Sequence, residues 1–283
     1  MNGRSYLFIP GNSAGMMVSS FVLDADVLIY DLEDAVSLDQ KDSARHLVNE
    51  AVRFLPKRSQ CWVRVNPLDS PYFMKDVDAL IDSPIDAFLL PKCDDVRFKD
   101  MYAYIEAAAK RKNVHIKPCV ALIESATGVF TLPKLIKLNV SGLFLGAEDL
   151  SADMHMTRTK GSDEIMLARQ QVVLHARVKG IVCIDTPFVD VEDMDGLQYD
   201  AIKAKQFGFD GKACIHPKQV SQINQLFGYS DEQLQWAQGV LDMAKKHADV
   251  AVFNYQGSMV DRPILLRAQH MVDLARKWGL IHE

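Results

Sequence analysis

Glu124 and Asp149 are the two residues whose types and spacing best fit metal chemistry. Each follows a short apolar run, Val120–Ile123 before the first and Leu143–Gly146 before the second. If these runs are consecutive strands of a parallel sheet, both carboxylates lie at its carboxyl edge. Two carboxylates without a histidine or cysteine favour a hard cation that keeps several waters, which describes Mg²⁺ better than Zn²⁺ or Ca²⁺. The alternative is that both only supply negative charge to the first turn of the next helix.

An arginine and an acidic pair follow two earlier apolar runs. Arg64 lies at the end of such a run, where its guanidinium could bind a substrate carboxylate through two N–H groups. The alternative is an internal salt bridge to Asp34, and both could hold at once. Glu33 and Asp34 are candidate catalytic residues that support the site, or ordinary charges at a helix start.

Three further polar residues could contact the anionic tail of a ligand such as a coenzyme pyrophosphate: Arg4, Lys92 and Asn12. For Arg4 the alternative is a solvated surface position. His216, just before Pro217, fits a structural hydrogen-bonding role better than a catalytic one. The sequence has no GxSxG motif, and no set of residues points to a Ser-His-Asp triad.

Eight short apolar runs would position these side chains. They are Tyr6–Ile9, Val27–Tyr30, Cys61–Val65, Ala87–Leu90, Pro118–Ile123, Gly142–Leu145, Ile181–Ile184 and Lys212–Ile215. They follow one another at about 29 residues, close to the roughly 30 residues of a strand–helix–strand unit. Nearly continuous Ile, Val, Leu and Phe is typical of strands buried on both faces.

Helical patterns separate the runs. They cover Asp39–Phe54, Asp95–Arg111, Thr127–Leu138, Asp163–Lys179, Asp193–Phe207 and Pro217–Leu226. Eight strand-like runs in regular succession, with helical patterns between most of them, predict an α/β protein with a (β/α)8 TIM barrel. An open doubly wound sheet is the alternative, but its glycine-rich dinucleotide fingerprint is absent.

The last part of the chain has a different pattern. We predict a TIM-barrel catalytic domain over residues 1–227 and a C-terminal helical lid over residues 228–283. Ser230 and Gln233 form a capping-box pattern, and a second helix begins at Pro263. The apolar stripe of that helix, which includes Met271 and Trp278, must be covered by a neighbouring barrel or by its own.

The composition narrows the class of protein. Of 283 residues, 48% are apolar and 24% are charged, which is typical of a globular protein and excludes a fibrous or disordered chain. The net charge of −5, without a long basic run, argues against nucleic acid or an anionic membrane as partner. No stretch approaches the roughly 18 apolar residues of a membrane span, and a strand-like run from Tyr6 leaves no room for a signal peptide.

The cysteines indicate a reducing compartment. They lack CxxC spacing and lie in or beside apolar runs, at Cys61, Cys93, Cys119, Cys183 and Cys214. We therefore expect buried thiols rather than disulfides or a zinc ribbon, and a cytoplasmic protein.

Eight motifs stand in a fixed order along nearly the whole chain. They are Arg4–Asn12, Asp31–Val36, Val63–Pro67, Leu90–Lys92, Ile123–Ser125, Leu145–Leu150, Gly208–Lys212 and Gly257–Pro263. Their sequences and order resemble those of the citrate lyase beta subunit family, in the HpcH/HpaI aldolase superfamily. The resemblance implies a Mg²⁺-dependent carbon–carbon lyase on a (β/α)8 barrel, acting on 3-hydroxyacyl thioesters.

The resemblance also implies roles for individual residues. Glu124 and Asp149 would hold Mg²⁺, and Arg64 would bind the carboxylate of the oxo acid. Trimers or hexamers are usual in the family, with the C-terminal segment over a neighbour's active site. Asp261 would then be the acid–base residue supplied by another subunit. Its alternative is a first-turn charge before the Pro263 helix.

The expected reaction cleaves a citramalyl-CoA or citryl-CoA type substrate to acetyl-CoA and pyruvate or oxaloacetate. The segment Leu150–Met154 departs from typical citrate lyase beta subunits, which favours free coenzyme A over a carrier protein. Four alternatives stay open: a beta subunit acting on carrier-bound citrate within a complex, a malyl-CoA lyase, a thioesterase, and a non-catalytic oligomeric protein that senses CoA or an oxo acid.

Overall fold

Eight parallel strands close into a barrel in the computed structural model, which describes residues 3–20, 22–246 and 252–281. Each strand pairs in parallel with the next along the chain, and the first pairs with the eighth. The strands are β1 Ser5–Pro10, β2 Val27–Asp31, β3 Gln60–Arg64, β4 Ala87–Leu90, β5 Cys119–Ile123, β6 Gly142–Leu145, β7 Val182–Asp185 and β8 Gly211–Cys214. The predicted TIM barrel is confirmed.

At least one helix follows each strand. The helices are α1 Ala14–Ser20, α2 Lys41–Phe54, α3 Phe73–Leu80, α4 Asp95–Lys112, α5 Ala126–Leu135, α6 Ala147–Asp153, α7 Met166–Lys179, α8 Met194–Phe207 and α9 Pro217–Phe227. The sequence patterns did not predict α1, α3 and α6, because helices of seven or eight residues are too short to display a helical period.

Alternate residues of each strand point into the barrel, because side chains of a strand alternate between its two faces. Large apolar side chains fill the interior, and the ring of Tyr6 makes edge contacts with those of Trp62 and Phe144, at 5.2 and 6.2 Å between ring centroids. Two residues further along β2 and β3, the inward positions become Asp31 and Arg64. The same alternation therefore gives the barrel an apolar core and a polar layer at the carboxyl ends of the strands.

The described residues divide into two compact units, one of residues 3–224 and one of those from 225 to 281. The second unit contains α10 Asp231–Lys246, a hairpin of β9 Phe253–Tyr255 and β10 Ser258–Val260, and α11 Arg262–Lys277. Its core joins Ala237 and Val240 of α10 to Ala268 and Met271 of α11. Part of the α11 stripe is thus covered within its own unit. The hairpin was not predicted, since strands of three residues give no periodic signal.

The five cysteines are all buried and free, as expected from the sequence. Burial raises the pKa of Cys61 to about 11 and those of Cys119 and Cys214 to about 12. Within the described ranges of the chain, no helix combines the length and the apolar character needed to cross a membrane.

Candidate active site

A cavity of about 420 Å³ opens at the carboxyl ends of the barrel strands. Its apolar lining includes Phe8, Leu122, Phe144, Leu145, Pro187 and Ile215, and its polar lining includes Asp31, Asp34, Arg64, Glu124, Glu148, Asp149 and Thr186. A second cavity of about 470 Å³ shares Glu124 and Asp149 with the first and is otherwise lined by polar and charged residues. The two carboxylates predicted from the sequence therefore face the same space.

Glu124, the residue after β5, is held from two sides. The backbone N–H of Lys92 donates to Glu124 Oε1 at 2.6 Å, and Lys92 adopts a left-handed conformation with φ of 52°. Gly146 lies so close that a Cβ there would be 2.8 Å from Glu124 Oε2. Burial, opposed by the Lys92 hydrogen bond and assisted by the charge of Asp149, raises the pKa of Glu124 to about 7.

Asp149 lies in the first turn of α6, and its side chain is exposed at the mouth of the cavity. Among the residues that the structure describes, no three His, Cys, Asp or Glu side chains are grouped to hold a metal by themselves. Two carboxylates with room for water and substrate oxygens suit Mg²⁺, which takes one or two protein carboxylates and keeps several waters. The donor set fits this cation.

Arg64 ends β3 and is held mainly by Asp31 rather than by Asp34. Arg64 Nε donates to Asp31 Oδ1 at 2.7 Å and Nη2 to Asp31 Oδ2 at 2.6 Å. Although burial opposes ionisation, the guanidinium holds the pKa of Asp31 below its usual range. Arg64 Nη1 lies 3.2 Å from Glu33 Oε2 and 3.3 Å from Asp34 Oδ2. The predicted contact with Asp34 exists, beside a stronger one that the sequence patterns did not indicate.

Glu33 is a buried carboxylate without a hydrogen-bond donor for either oxygen. Arg64 Nη1 is its nearest cation, and Lys92 Nζ lies 3.8 Å from Glu33 Oε1. Burial raises the pKa of Glu33 to about 8, against the opposing charge of Arg64. Asp34, in contrast, is 59% exposed and lines the cavity. The two neighbours therefore differ in environment, and Glu33 is the one with unsatisfied oxygens.

The predicted ligand-binding residues lie at opposite ends of the barrel. Asn12 and the Lys92 side chain are exposed and follow the carboxyl ends of β1 and β4. Arg4 precedes β1 and forms a two-point ion pair with Asp26, which precedes β2. Arg4 is therefore at the amino end, away from the cavity, and its assignment to an anionic tail at this site is corrected.

Asp261 caps the amino end of α11 in the C-terminal unit. Its Oδ1 accepts a hydrogen bond from the backbone N–H of Ile264 at 3.2 Å. His216 Nδ1 accepts from the N–H of Lys218 at 3.2 Å, which is the structural role expected for it. The helix-start alternative for Asp261 therefore describes its local geometry.

Sequence reasoning missed a buried ionic network between β7 and β8 and the helices α7 and α8 that cover them. Arg169 and Lys212 are paired with Asp185 and Asp200, and all four are buried at 0% exposure. Lys212 Nζ donates to Asp185 Oδ2 and Asp200 Oδ2, at 2.6 Å each. A charged residue inside an apolar strand run, such as Lys212, was the available signal, because burying an unpaired ammonium is costly.

Two carboxylates and an arginine lie at the carboxyl ends of the barrel strands. Because active sites of TIM-barrel enzymes lie at that end, this arrangement is typical of a barrel enzyme. Residues 164–280 match a family model described as C–C bond lyase of the TIM-barrel fold, and residues 4–217 match the HpcH/HpaI aldolase/citrate lyase model. The chain belongs to the HpcH/HpaI aldolase/citrate lyase family and is a lyase. This confirms the resemblance found in the sequence motifs.

Related proteins cover nearly the full chain. Citrate lyase subunit beta of Leuconostoc mesenteroides is 35% identical over 98% of this chain and 95% of its own. Human mitochondrial citramalyl-CoA lyase is 29% identical over 96% of this chain and 85% of its own. The crystal structure of CitE from Mycobacterium tuberculosis with magnesium, acetoacetate and coenzyme A covers 98% of both chains, with 27% identity and a TM-score of 0.78.

Proposed function

We propose that this protein is a Mg²⁺-dependent lyase that cleaves a 3-hydroxyacyl-CoA thioester to acetyl-CoA and a 2-oxo acid. Citramalyl-CoA or citryl-CoA is the preferred substrate, with pyruvate or oxaloacetate as the oxo acid. One observation carries the proposal: Glu124, Asp149 and Arg64 line one cavity over an apolar floor. The magnesium, acetoacetate and coenzyme A held by the M. tuberculosis relative support it.

The charges in the cavity match the parts of such a substrate. Glu124 and Asp149 would hold the cation, which when bound stabilises negative charge developing on the substrate hydroxyl oxygen. Arg64 would bind the oxo-acid carboxylate through N–H groups of Nη1 and Nη2, because Asp31 accepts only one hydrogen bond from Nε and one from Nη2. Lys92 and Asn12, exposed at the same end, would contact the anionic coenzyme tail.

The proton balance of the cleavage needs an acid. The hydroxyl group would lose its proton to water in the open cavity, its oxygen would become the carbonyl of the oxo acid as the carbon–carbon bond breaks, and the electron pair of that bond would pass to the thioester enolate. Asp261 would then donate a proton to the enolate carbon, which releases the acetyl thioester, and would regain a proton from water. In the reverse direction Asp261 would abstract that proton. Glu33 and Asp34 would hold Arg64 in position from the side opposite Asp31.

We also propose a homo-oligomer, a trimer or hexamer, in which the C-terminal unit supplies Asp261 to the barrel of another subunit. The family resemblance supports this arrangement. The buried, free thiols support a reducing compartment, and we place the protein in the cytoplasm.

A second candidate is a citrate lyase beta subunit that acts on carrier-bound citrate within a larger complex. The higher identity to the Leuconostoc subunit, 35% against 29% for the human citramalyl-CoA lyase, favours it. Isolated protein that is inactive on every free CoA ester, but active with an acyl carrier thioester, would support this candidate over the first.

The test is a substrate panel of citramalyl-CoA, citryl-CoA and malyl-CoA, each assayed with Mg²⁺ and with EDTA. Oxo acid is measured with a coupled dehydrogenase, and free thiol with a chromogenic disulfide. A lyase releases oxo acid without thiol, whereas a thioesterase releases thiol without oxo acid. Glu124→Gln is expected to abolish the Mg²⁺-dependent activity while retaining the fold. Activity that persists in EDTA, or in this variant, would refute the metal assignment.

A further inference from the structure

The short helix α6, which carries Asp149, is tied at both of its ends to neighbouring segments. At its start, the N–H of Ala147 donates to Thr186 Oγ1 at 3.0 Å. At its end, Asp153 Oδ2 accepts from the N–H of Ala126 at 2.7 Å. Seven residues form a marginal helix by themselves, so outside contacts decide where α6 lies.

Thr186 is a rigid anchor for the first tie. Its backbone carbonyl accepts from Lys212 Nζ at 2.7 Å, and Lys212 is locked between Asp185 and Asp200. Thr186 is buried and lines the wall of the first cavity. The ionic network therefore fixes Thr186, and Thr186 fixes the residue two positions before Asp149.

The second tie connects the two predicted metal ligands. Ala126, whose N–H is bound by Asp153, is two residues after Glu124. Asp153 is four residues after Asp149, so both lie on one side of α6 and line the same polar cavity. Asp153 thereby links the helix that carries one carboxylate to the segment that carries the other.

We propose that Thr186 and Asp153 are positioning residues that hold Asp149 at a fixed distance from Glu124, and so set the affinity and size selectivity of the cation site. This inference rests on the proposed function, which assigns the cation to Glu124 and Asp149. Mg²⁺ demands near-ideal geometry at short distances, whereas Ca²⁺ accepts irregular geometry at longer ones. A loosened α6 therefore costs affinity for the small ion more than for the large one.

The experiment measures Mn²⁺ binding by electron paramagnetic resonance, with Mg²⁺ and Ca²⁺ as competitors, in the full-length protein without substrate. Thr186→Val removes the acceptor with little change of shape, and Thr186→Ser restores it. Asp153→Ala removes the acceptor at an exposed position, and Asp153→Asn restores an oxygen without the charge. We expect Thr186→Val and Asp153→Ala to weaken Mn²⁺ binding about tenfold or more, and Ca²⁺ binding less. The Ser and Asn variants should stay within about threefold of the unaltered protein.

The outcomes separate this inference from the function on which it rests. A purely structural role would lower the melting temperature of the Val and Ala variants without changing the ratio of Mg²⁺ to Ca²⁺ affinity, and would overturn the proposal. Equal losses in Thr186→Val and Thr186→Ser would also overturn it. Unaltered protein that binds no Mn²⁺, or binds it equally after Glu124→Gln, would instead refute the cation site and the proposed function with it.

Discussion

Asp31 and Arg64 end adjacent parallel strands in direct register and are joined by two hydrogen bonds, of 2.7 and 2.6 Å. The pairing uses the Nε side of the guanidinium and holds its plane against the ring of Phe8, 5.2 Å from the ring centroid. Arg64 is thus fixed before any ligand binds, and Nη1 is the group turned toward Glu33 and Asp34. A fixed cation of this kind lowers the cost of ordering a bound carboxylate.

Arg64→Lys should raise the KM for the oxo acid in the condensation direction by at least about tenfold. Lysine offers one point charge, which cannot bind Asp31 at two points and also contact a carboxylate. Steady-state kinetics provide the measurement. Arg53→Lys, at a partly exposed pair with Asp82, is the matched control and should leave the KM unchanged. An unchanged KM in the Arg64 variant would remove the carboxylate-binding role.

Gly146→Ala should weaken divalent-cation binding at least about tenfold while the barrel remains folded. The added methyl group would lie 2.8 Å from both Cβ and Oε2 of Glu124, so the carboxylate must move. Isothermal titration with Mg²⁺ measures the effect. Gly15→Ala, whose methyl group meets open space in α1, serves as control and should bind as the unaltered protein does. Normal binding by the Gly146 variant would show that Glu124 does not hold the cation.

Glu33→Gln should stabilise the metal-free protein at pH 8.5 and not at pH 4.5. The folded-state pKa of Glu33 is raised to about 8, whereas an unfolded glutamate titrates near about 4.3. Between these values the folded state holds more protons than the unfolded state, so stability falls as the pH rises, and glutamine removes that fall. Denaturant titrations in EDTA should give a gain on the order of 1 kcal/mol or more at pH 8.5. A pH-independent difference would contradict the assigned environment.

Asp261→Asn should lower kcat at least about a hundredfold with little change in stability. Asparagine caps a helix as well as aspartate does, so α11 keeps its hydrogen bond from Ile264, but the amide cannot carry the proton. Kinetics and thermal unfolding measure the two effects. If the site is shared between subunits, co-refolding this variant with Arg64→Lys should restore part of the activity. Full activity of Asp261→Asn alone would exclude the acid–base role.

Lys212→Met should destabilise the protein by about 3–5 kcal/mol, because it leaves Asp185 and Asp200 with one buried cation between them. Urea denaturation measures the loss. Lys218→Met, which removes an exposed pair with Glu192, should change stability by less than about 1 kcal/mol. Similar small effects in both variants would mean that the network contributes little to the fold.

The sequence by itself determined the barrel and the order of its parts. Eight apolar runs at a regular spacing leave few other ways to bury strands on both faces, so the repeat alone predicts a (β/α)8 topology. It also placed Glu124 and Arg64 correctly at the carboxyl ends of strands. All strands of a parallel barrel end at the same edge, so a residue that ends an apolar run must lie at that edge. These features depend on local period and chain order, which a sequence displays directly.

The tertiary structure decided which side chains meet. Asp31 became the partner of Arg64 through the register between β2 and β3, which chain spacing does not encode. Arg4 belongs to the amino end because β1 begins after it, and Glu33 is buried although it lies beyond the end of β2. Contacts across a barrel depend on the tilt and register of separate segments and on the direction of each side chain, so they exist only once the chain has closed on itself.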